Sequence, residues 1–299
     1  MNLKKGFTLI ELLLASGVGL LVLATITSYL RNSISTVNFS YSSQILLEDL
    51  RVSGNYISDI ANKAVYIFPP GSTITLNSGG YSTKNPIDST NKWTIGNTTP
   101  MVAMLLPPED ISNKPAIPVC SNASGGITTG CPKFFAFYAV KRSEVMKASG
   151  ATGAERPNED SRVPNAWTIY TYQAAIDNFP VANFTTERTR FEGVVKHLKD
   201  TGKLINFSIS GSNGNLLTDY VGNDRFKVFF NTCFNSPTKP LYNDCFPSDP
   251  VRSVSGLEIQ LQGQIPLSNS SSPSNFPAVP LSFNISPLNI IPPLVAKNN

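Results

Sequence analysis

Glu11 is the one side chain charged at neutral pH in an apolar run that covers residues 7–30. A carboxylate placed inside a membrane span costs several kcal/mol unless it is neutralised or finds a partner. No cation lies nearby in its own segment. It therefore either protonates or pairs with a group on another molecule, and breaking such a buried pair costs about 3–5 kcal/mol. The chemistry on offer is electrostatic pairing rather than turnover. The chain has no G-x-S-x-G, no H-E-x-x-H and no phosphate-binding glycine loop. Its single histidine, His197, lies in Glu192-Gly-Val-Val-Lys-His-Leu-Lys199 with no nucleophile motif beside it, and reads as a solvated residue. The acid pairs Glu109-Asp110 and Glu159-Asp160 sit in Pro/Asn/Ser-rich surroundings, where solvated loop charges are the rule. The reading is a non-enzyme without cofactor or metal.

The element that must position Glu11 is a helix long enough to span a bilayer. Residues 7–30 make about 36 Å of helix against a hydrocarbon core of roughly 30 Å. Lys4 and Lys5 on one side predict a cytoplasmic N-terminus, and Arg31 closes the far side. A secretory signal has a shorter apolar core with its cleavage site after it. Here the processing signature comes first, so cleavage removes the charges and keeps the helix.

The string Lys4-Lys5-Gly6 followed by Phe7-Thr8-Leu9-Ile10-Glu11-Leu12-Leu13 resembles the class III leader of type IV prepilins and pseudopilins. The resemblance implies cleavage by a prepilin peptidase between Gly6 and Phe7 and N-methylation of the new Phe7 amine. It also implies that Glu11 pairs with the N-terminal amine of a neighbouring subunit. The partners implied are other pilin or pseudopilin subunits and the peptidase. The implied location is the inner membrane, single-pass with an extracytoplasmic head, and later a cell-surface or periplasmic filament.

No proline occurs before Pro69, and residues 31–68 read as an amphipathic continuation of the helix. Ile34, Val37, Tyr41, Ile45, Leu46, Leu50, Ile57, Ile60, Ala61 and Ala64 approximate the stripe of a helix with one buried face. Unbroken, the helix reaches about Ala64. Gly54 is its weak point, at a cost of about 1 kcal/mol against alanine. The stretch from Gln44-Ile-Leu-Leu-Glu-Asp-Leu-Arg51 through Asp59-Ile-Ala-Asn-Lys-Ala-Val-Tyr-Ile67 also resembles, more loosely, minor pilins of the PilW type and pseudopilins of the GspJ type.

Beyond Pro69-Pro70-Gly71 the composition changes. Residues 71–100, rich in Ser, Thr, Asn and Gly, read as a long surface connection. Strand character follows in Lys133-Phe-Phe-Ala-Phe-Tyr-Ala-Val-Lys141, in Trp167-Thr-Ile-Tyr-Thr-Tyr172 and in residues 204–210, 225–230 and 279–285. Leu257-Glu-Ile-Gln-Leu-Gln-Gly-Gln-Ile265 alternates cleanly, as a half-buried antiparallel strand does. Residues 143–164 and 266–277 read as loops. The expected fold is α+β: a long N-terminal helix, membrane-spanning in its first half, packed on an antiparallel β-sheet head. The expected division is a leader at 1–6, a transmembrane and assembly helix at 7–30, its amphipathic continuation at 31–68, and a β-rich extracytoplasmic head with inserted loops at 69–299. Length alone leaves open one lobe or two in that head.

Four cysteines fall in two local pairs, Cys120 with Cys131 and Cys233 with Cys245. None forms a C-x-x-C, and with one histidine a zinc site is not expected. A head beyond the cytoplasmic membrane lies where disulfides persist. Each local bridge closes a loop of roughly a dozen residues, worth up to about 3 kcal/mol. The other two connectivities stay open.

The formal charge is +4, but losing residues 1–6 removes Lys4 and Lys5, leaving 22 basic side chains against 20 acidic. That excess is too small to predict a groove that tracks phosphates. Lys196, Lys199 and Lys203 form a local basic group, and the aromatic runs offer stacking surface if they are exposed. The reading is thus a structural subunit, a minor pilin or pseudopilin, that primes or joins a filament. The alternative is a tip adhesin or DNA-uptake receptor, whose partner is DNA or a surface ligand.

Overall fold

The computed structural model describes residues 8–76, 81–85, 87, 89–96, 100–106, 133–147, 156–157, 163, 165–175, 206–208, 214–231, 254, 256–265 and 274–286. Helix α1, Leu9–Asn62, runs unbroken for 54 residues, about 80 Å. It begins at an N-cap threonine, Thr8, and stops just short of the expected Ala64, with Lys63 as its C-cap. No residue between 9 and 42 is buried; the face that packs begins at Ser43 and continues through Leu46, Leu50, Ser53, Gly54, Ile57 and Ala61. The stripe expected over 31–68 is therefore divided. Leu46, Leu50, Ile57 and Ala61 enter the core, whereas Ile34, Val37, Tyr41 and Ile45 lie on roughly the opposite side of the helix and stay exposed.

Gly54 does not interrupt α1. It lies against the ring of Phe283, which a Cβ at this position would strike. The missing side chain is what lets helix and sheet approach, so the local cost in propensity is offset by packing.

The head is built on a seven-stranded sheet. Its strands are β1 (Tyr66–Ile67), β4 (Met101–Leu106), β5 (Lys133–Lys141), β6 (Trp167–Ala175), β8 (Asn215–Asn231), β9 (Gly256–Ile265) and β10 (Ser274–Ile285), in the spatial order β1-β4-β5-β6-β8-β9-β10. Every neighbouring pair is antiparallel. A three-stranded sheet, β3-β2-β7, comprises β2 (Thr73–Thr75), β3 (Lys92–Thr94) and β7 (Asn206–Ser208). In it β2 and β7 run parallel, a departure from the antiparallel expectation. A short helix α2, Arg142–Lys147, follows β5 inside the segment expected to be a loop.

Each face of the large sheet has its own core. On the α1 side, Leu46, Leu50 and Ile57 meet Phe137, Ile169, Val228, Ile259 and Leu261. On the other side, Ile74 and Trp93 of the small sheet cover Phe134, Tyr138, Tyr170 and Tyr172. Strand β5 is central and covered on both faces, hence its continuous apolar run. Beyond the small sheet's reach only the α1 side needs apolar residues. Strand β9 accordingly alternates in part: Leu257, Ile259, Leu261 and Ile265 are buried and Glu258, Gln260 and Gln264 half-buried, but Gln262, expected on the polar face, is buried where β10 shifts register.

Residues 71–100 are not merely a surface connection. They supply β2 and β3, and Ile74, Leu76, Trp93 and Ile95 are buried. Trp93 Nε1 donates to the Thr83 carbonyl at 2.8 Å, and Asn85 Nδ2 donates to the Lys92 carbonyl at 2.8 Å. Short Thr-Ile-Thr and Lys-Trp-Thr strands were hidden by the polar average around them.

Strand β8 is far longer than the expected 225–230, because it accommodates irregularities. Its register shifts between Val221 and Phe226, with Tyr220 and Asp224 at φ of 57° and 56°. Strand β10 starts at Ser274, earlier than expected, and carries Pro277 and Pro280, which an edge strand tolerates. Gln262 Nε2 donates to the carbonyls of Pro277 and Ala278 at 2.7 and 3.2 Å where β10 shifts register.

Candidate functional site

The first turn of α1 is a capping box. The Thr8 amide donates to Glu11 Oε2 at 2.9 Å and the Thr8 hydroxyl donates to the same oxygen at 3.0 Å. In return, the Thr8 hydroxyl accepts from the Glu11 amide at 3.4 Å. Two helix-end donors are satisfied reciprocally, and the acid sits at the positive end of the helix dipole. Glu11 thus has a third course besides protonation and intermolecular pairing: its own chain supplies donors. Thr8 is the residue that sequence reasoning missed, although Thr-x-x-Glu at the head of an apolar run is the signature of such a box.

Around Glu11 the helix is bare. Leu9, Ile10, Leu12, Leu13, Leu14, Leu20, Leu21 and Leu23 are all more than half exposed. The helix is long and apolar enough to cross a membrane, and none of its most apolar window is buried within the protein. Apolar exposure then continues past the length that a bilayer covers, with Ile34, Val37 and Tyr41 at 60%, 65% and 66%.

The other sequence-predicted positions lie outside the described residues. These are the leader cleavage and methylation positions Gly6 and Phe7, the cysteines Cys120, Cys131, Cys233 and Cys245, His197, both acid pairs and the Lys196, Lys199, Lys203 group. The aromatic runs that would have to be exposed for base stacking are in the core: Phe134, Phe137, Tyr138, Tyr170 and Tyr172 are buried.

One polar cluster was not foreseen. Arg142, at the start of α2 and 2% exposed, donates through Nε to both Asp219 oxygens at 3.1 and 3.0 Å. Its guanidinium lies 4.6 Å over the Tyr220 ring. Burial presses the guanidinium toward its neutral form; Asp219 and Tyr220 outweigh that and hold it above its ordinary range. Asp219 Oδ1 also accepts from the Tyr220 amide at 2.7 Å, bracing a residue in the left-handed region. The cluster ties α2 to the irregular part of β8. Among the described residues, no group of three or more His, Cys, Asp or Glu is placed to hold a metal ion.

A long apolar helix capped at an acid, followed by an antiparallel sheet that packs on the helix's second half, is a type IV pilin-like architecture. Residues 1–27 match a family described as "Prokaryotic N-terminal methylation motif", the class III prepilin leader of type IV pilins. The match takes in the leader and most of the apolar segment and does not extend to the head. No curated protein and no solved structure matches the chain. The motif implies processing by prepilin peptidase and assembly with other pilins, with membrane anchoring beforehand.

Proposed function

We infer that the protein is a minor pilin or pseudopilin that primes or joins a type IV pilus-type filament after removal of residues 1–6. The observation that carries this reading is the free first part of α1. Residues 9–42 extend about 50 Å beyond the packed head. A helix that is apolar on all sides requires a bilayer or a helix bundle around it. Ile34, Val37 and Tyr41 lie beyond a span that ends near Leu30, so a protein neighbour suits them better than lipid. Burying each is worth roughly 1.5–3 kcal/mol.

In this reading the head is extracytoplasmic, Phe7 becomes the methylated N-terminal residue, and Glu11 pairs with the N-terminal amine of a neighbour. A head of some 230 residues with long insertions fits a subunit present in few copies better than one repeated along a filament. The test is Glu11→Ala in the full chain. Leader removal stays intact while the amount recovered in sheared filaments drops strongly. Wild-type recovery of this variant would refute the role given to Glu11.

A further inference from the structure

Helix α1 and the large sheet meet through two glycines, one on each side of the contact. Leu46 of α1 fills the place of a Cβ at Gly263 of β9, its outer carbons lying 2.5–3.1 Å from that position. In the opposite sense, the Phe283 ring of β10 fills the place of a Cβ at Gly54 of α1. Each element sends one side chain into a gap that the other leaves open. The two points match in spacing. Leu46 and Gly54 are eight residues apart, about 12 Å along the helix. Gly263 and Ile259, the β9 partner of Phe283, are four apart, about 13 Å along the strand. The points also differ by about 80° around the helix axis, at 3.6 residues per turn. Together they fix slide and rotation, which a single contact leaves free.

Only one setting of α1 suits both points. Gly54 is the only glycine between residues 43 and 62. Sliding α1 by three or four residues brings Leu50, Arg51, Ile57 or Ser58 against Phe283, and each carries a side chain for which there is no room. We propose that this reciprocal pair of contacts is a lock that holds the head in one orientation about α1, and so fixes which way Ile34, Val37 and Tyr41 face relative to the head. The free part of α1 acts as a lever: a tilt of about 10° at the joint displaces its far end, about 50 Å away, by about 9 Å. The lock stands on the contacts alone; its consequence for assembly rests on the filament role inferred above.

The test is a distance measured on the full chain in mild detergent. Nitroxides are carried on p-acetylphenylalanine at positions 37 and 279, where the native valines are 65% and 76% exposed, so the cysteines are left untouched. Pulsed electron resonance then gives one narrow distance for the otherwise wild-type chain. Gly263→Ala shifts that distance or widens its distribution at least about twofold, because the added Cβ meets Leu46. Gly263→Ala/Leu46→Ala brings the wild-type distance back, whereas Gly263→Ala/Phe283→Ala does not. Gly54→Ala behaves in the mirror sense and is rescued by Phe283→Ala alone. Should a glycine variant fail to fold, Leu46→Ala/Phe283→Ala reads the same joint without overpacking: both contacts are gone and the distribution widens. A broad wild-type distribution overturns the proposal. So does an unchanged distance in folded Gly263→Ala and Gly54→Ala, or in Leu46→Ala/Phe283→Ala. Recovery in sheared filaments follows the distance, falling in the single glycine variants and returning in the matched doubles. Wild-type recovery of Gly263→Ala despite an altered distance removes the consequence for assembly. Normal assembly of Glu11→Ala counts against the role given to Glu11 and leaves the distances standing.

Discussion

Asp219→Ala removes a counter-ion from the buried Arg142, and its cost follows from the geometry. Arg142 is 2% exposed and Asp219 13%. The substitution deletes both acceptors of the Arg142 Nε–H and the acceptor of the Tyr220 amide. Removing one partner of a buried pair costs about 3–5 kcal/mol, and solvent access at Asp219 places this pair near the lower end, about 3 kcal/mol. For a head of this size that is a fall in Tm of about 6–12 °C. Asp219→Asn keeps one of the two acceptor oxygens and loses roughly half as much. The double variant Arg142→Met/Asp219→Leu regains most of the loss, because apolar residues of similar volume replace a buried pair at little net cost. The assay is thermal unfolding of the full chain in mild detergent. Tryptophan fluorescence suits it, since Trp167 Nε1 donates to Asn223 Oδ1 at 2.9 Å beside the same irregularity in β8. A Tm for Asp219→Ala within about 2 °C of wild type, or a double variant as unstable as the single one, refutes the reasoning.

Gly54→Ala destabilises by about 1–2 kcal/mol, because the Cβ meets the Phe283 ring. Helix propensity alone predicts the opposite sign, so a raised Tm would show that close approach is not the constraint. Asp49 is held above its ordinary carboxylate range, first by burial and then by neighbouring Glu48. A raised folded-state value means that its contribution is full below the unfolded value and is lost as pH climbs through the folded one. Asp49→Asn therefore stabilises slightly at pH 7, and the difference closes near pH 3. Equal differences at both pH values in a pH-resolved melting series contradict this. Non-reducing peptide mapping yields Cys120–Cys131 and Cys233–Cys245 peptides; a Cys120–Cys233 or Cys120–Cys245 peptide overturns the local pairing.

Legibility varied with how local the cause was. The long helix was plain because apolar residues run on without proline from Phe7 and amphipathic character persists to Ala64. Strands β5 and β9 were plain because aromatic or alternating residues extend over nine or more positions. Strand β2 was missed because three residues in a Thr/Asn/Gly-rich stretch carry little signal; its partner β7 lies more than 130 residues away in the chain. The first half of β8 was missed because Asp219, Gly222, Asn223 and Asp224 read as turn formers. Contacts from Arg142 and Trp167 hold them in a strand instead. At the candidate site, Glu11 was legible as a charge in the wrong solvent, whereas Thr8 needed the capping signature to be read beside it.

By itself, the sequence determined the N-terminal character: a prepilin-type methylation motif bearing Lys4 and Lys5, and one acid in an apolar helix. Those properties depend on residues within a few positions of one another and on their solvent, so no fold is needed to read them. Tertiary structure decided which apolar residues of α1 are core and which stay exposed. Leu46 and Ile45 are adjacent and both apolar, yet only Leu46 meets the sheet. It also decided that Gly54 is a packing site and that Arg142 has a counter-ion 77 positions away. Such contacts exist only once the chain has closed on itself, because burial and charge pairing depend on distance in space rather than along the sequence.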